Sequence, residues 1–263
     1  MFGDYLERWQ LMPDGEPIIT RSSRLLPVRL GGVPAMLKIA LLDEERIGGL
    51  LMQWWGGYGA ARVMAHDDNA ILMERPVNDT SLADLARDRD DDASRIICTV
   101  LGQLHTPRGQ PPAALVPLTE WFESLRAIAE ARRGLFGIAA STARHLLATQ
   151  QDIVVLHGDM HHGNVLHFGP RGWLAIDPKG LVGERYFDYA NIFCDPDYKM
   201  ATMPGRLSHQ VRVVADAAHL ERHRLLAWIV AWAGLSAAFL VHDGLPPDDA
   251  LTIVELAAAE LTR

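Results

Sequence analysis

Short runs with strand-like alternation open the chain, and longer runs with helical spacing fill the rest. Pro17 to Thr20, Leu25 to Leu30 and Val33 to Ala40 predict strands, the last two closed into a hairpin at Gly31-Gly32. Asp43 to Trp55 has helical spacing, with acids at its start and Gly56-Gly57 as its stop. Arg62 to His66 and Ala70 to Glu74 predict a second hairpin around Asp67-Asp68-Asn69. From Asp79 onward, apolar patterns at 81–87, 91–105, 118–133, 138–149, 208–219, 222–243 and 247–261 predict helices, interrupted by a hairpin between 153 and 177. The pattern is that of an α+β chain, with a small antiparallel-sheet lobe over 1–75 and a larger helical lobe over 79–263. The connector, Arg75-Pro76-Val77-Asn78, carries a proline that cannot donate to a ladder and holds its predecessor extended.

A chain of 263 residues is long enough for two lobes sharing a cleft, each with its own core. Leu225 to Val241 is free of charge and near the lower limit for crossing a bilayer, but it contains Gly234 and Ser236 and has no companion segment. It reads as a buried helix at the centre of the helical lobe. The N-terminus has acids where a secretory signal needs basic residues, and the two cysteines, Cys98 and Cys194, lack metal-site spacing. These features suit a reducing, cytoplasmic setting. A net charge of -8 argues against nucleic acid or an anionic membrane as partner and favours a cationic small molecule. No feature indicates an oligomer, so a monomer is expected.

The densest chemistry lies in His157-Gly158-Asp159-Met160-His161-His162-Gly163-Asn164, with Ile176-Asp177-Pro178 following. Phosphoryl transfer needs a carboxylate to take the acceptor's proton, and an amide oxygen plus a second carboxylate to hold Mg²⁺ on the nucleotide phosphates. Asp159, Asn164 and Asp177 supply these groups in that order. Gly169-Pro170-Arg171-Gly172 reads as a four-residue turn between two short strands, so that facing residues sum to 341 and Asn164 opposes Asp177. Lys38 stands in an apolar strand, where an unpaired charge is costly, so it should face a cleft and pair with Glu45 or, failing that, Glu44. Glu74, Arg75 and Pro76 offer main-chain groups to a nucleotide base, with Met73 packed behind it. The loop Thr20 to Arg24 has no glycine, leaving Ser22 and Ser23 to meet the phosphates. Asp188 is either a helix N-cap or a brace for the catalytic loop, and His157 is expected to hold its turn by a hydrogen bond. A different use of the same residues is a Zn²⁺ hydrolase site built on His157, His161 and His162 beside Asp159.

The catalytic and metal segments, together with Gly180-Leu181-Val182-Gly183-Glu184 and Phe187-Asp188-Tyr189-Ala190-Asn191-Ile192-Phe193, resemble those of the aminoglycoside and hydroxyurea resistance kinases. The likeness extends through Leu26-Pro27-Val28-Arg29, Leu72-Met73-Glu74-Arg75 and Trp232 to Ala238, and within the family it is greatest to streptomycin 6-phosphotransferases. The resemblance implies a protein-kinase-like bilobal fold, ATP as donor and Mg²⁺ as metal. It also implies Asp159 as base, Asn164 and Asp177 as metal ligands, and Lys38 on the phosphates. The acceptor it implies is a cationic aminoglycoside phosphorylated at the streptidine 6-hydroxyl, with hydroxyurea or another small hydroxylated metabolite as the alternative. Guanidinium groups need carboxylates, for which Glu120, Glu123, Glu184, Asp195 and Asp197 are candidates. Gly163 departs from the family pattern, in which an acid is common, and this bears on the acceptor side.

Overall fold

A computed structural model describes residues 2–77 and 80–262, so the predicted connector residue Asn78 and the adjoining Asp79 lie outside the described residues. The chain starts with elements that the periodicity did not suggest, α1 (Gly3–Arg8) and β1 (Leu11–Pro13). β2 (Ile18–Ile19), β3 (Ser23–Leu30), β4 (Val33–Ala40), α2 (Asp43–Trp55), β5 (Val63–Asp67) and β6 (Ala70–Glu74) follow. The strands pair antiparallel in the order β1-β3-β4-β6-β5, with β2 beside β3.

Strand parity places the chemistry. Ala35, Leu37 and Ile39 of β4 join Leu26, Val28 and Leu72 in a cluster on one face, covered by Tyr5, Leu6 and Trp9 from α1 and its cap. The alternate residues Met36 and Lys38 therefore face the other side. There Ile71, Met73 and the α2 residues Leu51, Met52 and Trp55 belong to the same apolar cluster as the helical lobe. The expectation of a separate core for each lobe thus holds only for the outer face of the sheet. Main-chain bonds add to the join: Ala61 N–H donates to Ala175 O, and Ala175 N–H to Gly59 O, both at 2.9 Å.

The helical part begins with α3 (Leu82–Leu104), which runs as two helical segments across a kink at Arg89 (φ -141°, ψ 59°), in keeping with the separate patterns at 81–87 and 91–105. β7 (Val116–Pro117), α4 (Leu118–Trp121), α5 (Glu123–Ala131) and α6 (Leu135–Ala148) come next, so the predicted 118–133 helix is divided at Phe122. After β8 (Ile153–Leu156), β9 (Val165–His167), β10 (Trp173–Ala175) and β11 (Leu181–Glu184) come α7 (Tyr186–Ala190), α8 (Tyr198–Ala201), α9 (Arg206–Ala218), α10 (Arg222–His242) and α11 (Asp248–Leu261). β11 lies between β7 and β8, forming a small sheet that the sequence did not suggest. α10, the long uncharged segment, packs against α5, α6, α7, α9 and α11, with Trp228, Ile229, Val230 and Ala231 fully buried. Its apolar surface is satisfied by protein.

The β9–β10 hairpin departs from its predicted register. Trp173 pairs with His167 and Ala175 with Val165, a sum of 340 and not 341. The turn holds five residues, not four: Phe168 N–H donates to Gly172 O at 2.8 Å around a 3₁₀ turn over Gly169–Arg171. Asn164 consequently lies opposite Ile176, whose N–H it accepts at 2.9 Å. Asp177 leaves the ladder in the left-handed region, at φ +64°. A one-residue slip moves a side chain to the other face of a regular strand, and the left-handed turn redirects Asp177 toward the sheet lobe.

The loop after Asp177 packs tightly on α2. A Cβ at Gly48 would stand 2.3 Å from Pro178 O, and one at Gly180 (φ +69°) would stand 2.3 Å from Ile47 Cγ2. Alanine in place of glycine stabilises an exposed helix by about 1 kcal/mol. Here Gly48→Ala is expected to do the reverse, because overpacking typically costs about 1 to 3 kcal/mol. Calorimetry should show a melting temperature lowered by several degrees, and a raised one would mean that α2 does not rest on this loop.

Candidate active site

Lys38 is 8% exposed and lies opposite Ile71 on β6. Its ammonium pairs with both Glu45 and Asp177. Glu45, in the first turn of α2, also accepts a hydrogen bond from Ser22 Oγ at 2.7 Å. The reserve residue Glu44 reaches elsewhere, to Lys179 Nζ at 2.6 Å. Two consecutive acids at one helix start thus hold two lysines, one from each lobe. Burial pushes the Asp177 carboxyl up, but the Lys38 ammonium outweighs it and holds the group below the usual carboxylate range.

Between the sheet and the β9–β10 hairpin lies a cleft of two adjoining cavities, about 810 Å³ and 230 Å³, that share Leu25, Met73 and Ile176. The larger is walled by apolar side chains and ends at Glu74, Arg75 and Pro76, while the smaller holds Ser22, Lys38, Asp177 and Lys179. An apolar slot continuing into a charged end suits a base and its phosphates. Of Glu74, Arg75 and Pro76, Glu74 N–H already donates to Arg62 O at 3.0 Å and Pro76 has none, which leaves Arg75 N–H as the donor. Side chains do not serve the base: Glu74 pairs with Arg171, and Arg75 donates to Asp14 at 2.6 Å. The Ser23 hydroxyl meets Thr20 Oγ1 at 3.0 Å and that of Ser22 is taken by Glu45, so the loop offers phosphates chiefly its main chain.

The catalytic loop is held by a buried polar frame. Asp188 is not an N-cap but lies inside α7, 1% exposed, where its carboxylate accepts His157 N–H and Gly158 N–H, each at 2.8 Å. The same carboxylate meets His105 Nε2 at 2.8 Å. His157 is fully buried. Its Nε2 lies 2.8 Å from Ile176 O and must carry the proton, while Nδ1 accepts Asp159 N–H at 3.3 Å, which fixes one neutral tautomer. Burial lowers its pKa against the pull of Asp188.

Asp159 presents its main-chain oxygen to Asn164 Nδ2 at 2.9 Å and its Oδ1 to Asn191 Nδ2 at 3.4 Å. With its NH₂ held in this way, Asn164 has its carbonyl oxygen left to offer. Asp177 binds Lys38 through Oδ1 and has a second oxygen. An amide oxygen and a carboxylate oxygen are the hard donors Mg²⁺ takes, and that ion fills its remaining positions with water and phosphate oxygens. The donor set fits the metal. The histidines do not form a rival site, since both nitrogens of His157 are engaged by Ile176 O and Asp159 N–H. Burial, with Arg206, pushes His162 down to about 4, so its ring is neutral. His161 turns toward Asp195, with Nδ1 3.9 Å from its carboxylate. Among the described residues no group of three or more His, Cys, Asp and Glu side chains could hold a metal ion.

The acceptor-side acids separate. Glu184 is fully buried and receives Arg224 at 2.6 Å, Trp228 Nε1 at 2.9 Å and Gln151 N–H at 3.0 Å, so it is a packing carboxylate and not a pocket acid. Asp197 caps α8 through Met200 N–H at 2.8 Å and pairs with Arg87 at 3.1 Å. Glu123 is exposed and tied to Arg126 at 2.6 Å, and Glu120 is exposed at the start of α4. Asp195 differs from these four. Burial pushes its carboxyl up to about 6, with His161 opposing and nearby Asp159 reinforcing the shift. A Cβ at Gly163 would stand 2.9 Å from His161 Cε1, so glycine at this position leaves the His161 ring where it is.

His105, Asn191 and Lys179 have positions in the site that the sequence reading did not assign. Asn191 and Lys179 lie inside or beside quoted motifs, so their neighbours were a signal. His105 ends a long helix and carries none.

A family described as aminoglycoside/hydroxyurea antibiotic resistance kinase matches residues 8–244. The chain is 51% identical over 245 residues to a streptomycin 3''-kinase of Klebsiella pneumoniae, covering 91% of this chain and 92% of the relative. It is 30% identical to a streptomycin 6-kinase of Streptomyces griseus, covering 97% and 86%. Among solved structures, a choline kinase of Cryptosporidium parvum aligns with a TM-score of 0.67 at 12% identity, covering 95% of this chain and 90% of that one. A thermostable mutant of the aminoglycoside phosphotransferase APH(4)-Ia aligns with a TM-score of 0.66 at 16% identity, covering 100% and 98%. These establish the protein-kinase-like fold, and the sequence matches establish the family: the chain belongs to the aminoglycoside/hydroxyurea antibiotic resistance kinases.

Proposed function

We propose that the chain is a cytoplasmic kinase that inactivates streptomycin by transferring the γ-phosphate of ATP, with Mg²⁺, to one of its hydroxyls. The observation that supports this reading is the Lys38–Asp177 pair at the charged end of the cleft, next to a loop in which Asn164 is bonded to Asp159, together with 51% identity to a streptomycin kinase. That likeness favours the 3''-hydroxyl over the streptidine 6-hydroxyl, because the streptomycin 6-kinases it matches are 30% and 34% identical.

In this reading the base occupies the slot between Leu25, Met73 and Ile176, and Arg75 N–H donates to it. Lys38, held by Glu45, meets the phosphates, while Asn164 and Asp177 hold Mg²⁺, which neutralises charge on them. Asp159 accepts the acceptor's proton, its carboxylate oriented by Asn191. Most of the acceleration comes from positioning and charge, with general-base help worth about 10² to 10⁴-fold. Asp195 is close enough to this base for the Asp159 charge to act on it, and an ionised carboxylate can bind one of the antibiotic's guanidinium groups bidentately.

Incubation with ATP, Mg²⁺ and streptomycin, with kanamycin and hydroxyurea in parallel, should give a gain of about 80 Da on streptomycin alone, the mass of one phosphoryl group. Two-dimensional NMR of the product should place it at 3''. A gain on hydroxyurea alone would replace the acceptor. Asp159→Asn should cut turnover by about 10²-fold or more.

Asp195 gives a pH signature. Its folded pKa of about 6 lies above the ordinary value of 3.8, so the folded state holds this proton more tightly than the unfolded chain does. The stability that the neutral form supplies is present below pH ~4 and is lost as pH rises to ~6. Asp195→Asn should therefore leave the melting temperature at pH 7.5 unchanged or raised while increasing the streptomycin KM. In the unaltered protein, KM should fall between pH 5 and 7 with a midpoint near the Asp195 pKa of about 6. A KM that does not change across this range would remove Asp195 from the acceptor site.

A further inference from the structure

Phosphoryl transfer builds charge on the moving group and on the oxygen it leaves, and kinases need a cation beside both. The catalytic loop, 157–164, contains neither lysine nor arginine. Among the described residues lining the charged end of the cleft, the only basic side chains are Lys38 and Lys179. Lys38 is held from the sheet side by Glu45.

Lys179 comes from the other side. Its main chain is fixed by an N–H bond to His157 O at 2.7 Å, so its backbone is tied to the first residue of the catalytic loop. Its side chain is 21% exposed, lines the cavity and rests on Glu44 at 2.6 Å. Both Asp159 and Asp177 act electrostatically on its ammonium. A cation that lines the charged end of the cleft and is acted on by both carboxylates is placed to meet the phosphates that end would hold. Glu44 is 38% exposed, so its hold on Lys179 is close to that of a surface pair, worth about 0 to 1 kcal/mol. A nucleotide phosphate carrying more charge can draw the lysine away.

We propose that Lys179 is a catalytic residue of the transfer step, a second lysine that leaves Glu44 to neutralise the γ-phosphoryl group in flight. The acceptor oxygen bonds to the γ-phosphorus and its proton passes to Asp159. The bond between that phosphorus and the β–γ bridging oxygen breaks, and the electron pair leaves on the ADP oxygen. Lys179 donates to the oxygens that gain charge and neither gains nor loses a proton. The assignment rests on the reading of Asp159 and Asp177 given above.

The test uses the full chain as wild type, Lys179→Met, Lys179→Arg and Glu44→Gln. It measures kcat and KM with streptomycin, ATP affinity by calorimetry, and the slow hydrolysis of ATP without acceptor. Lys179→Met should lower kcat about 10²-fold, the usual loss for one donor to developing charge, with ATP affinity within about threefold of wild type. Lys179→Arg should recover at least about tenfold of that loss, and Glu44→Gln should cost less than about tenfold. The proposal is overturned if Lys179→Met keeps wild-type kcat, or if its ATP affinity falls as far as its kcat. It is also overturned if Glu44→Gln matches Lys179→Met, which would make the pair a clamp between lobes. A wild type that hydrolyses ATP but spares streptomycin defeats only the acceptor reading, and the same order of variants then applies to hydrolysis. A wild type that does neither defeats both.

Discussion

The contact of α2 with the Asp177–Gly180 loop is the constraint on which the site depends. Gly48 lets the helix backbone reach Pro178 O, and Gly180 makes room for Ile47. At that approach the first turn of α2 can hold Lys38 with Glu45 and Lys179 with Glu44. Close packing here sets the separation of cations and carboxylates across the cleft. Interiors are packed so densely that one added methyl group is felt, which makes glycine the natural residue where two backbones carry charges toward a common point.

On the other side of the cleft, rigidity comes from buried groups with few free atoms. Asp188 binds two loop amides and His105, and His157 joins the loop to Ile176 through a neutral ring. These bonds lie in a low-dielectric interior, where leaving either partner unmet is costly. Glu184 shows the same logic with a different outcome: its carboxylate is fully engaged by Arg224, Trp228 and Gln151, so it shapes the helical lobe and cannot meet a ligand. Asp195 is the contrasting case, a carboxylate whose desolvation is opposed chiefly by the His161 ring, 3.9 Å away.

Local features were legible in the sequence where one rule decided them. β4 and α2 have the bounds that alternation, acids and glycines indicate, and the alternation of β4 correctly turns Lys38 away from Leu37. The hairpin register was not legible, because Gly169 to Gly172 fits a four-residue turn as well as the inner part of a five-residue one. Asp177's left-handed backbone follows from its neighbours in space and leaves no trace in composition. The helix break at Phe122 falls within continuous apolar periodicity, whereas the kink at Arg89 lies in the gap between the patterns at 81–87 and 91–105. The partners of acids are a tertiary property: Glu184 and Asp195 look alike along the chain and differ only by what folds against them.

Calorimetric titration with a non-hydrolysable ATP analogue, with and without Mg²⁺, on wild type, Asp159→Asn and Asp177→Asn tests the division of labour between the two carboxylates most directly. If Asp159 takes the proton and Asp177 holds the metal, Asp159→Asn binds the nucleotide as wild type does, while Asp177→Asn loses the part of the affinity that depends on Mg²⁺. Loss of the Mg²⁺-dependent part in Asp159→Asn, with Asp177→Asn unaffected, would contradict the account.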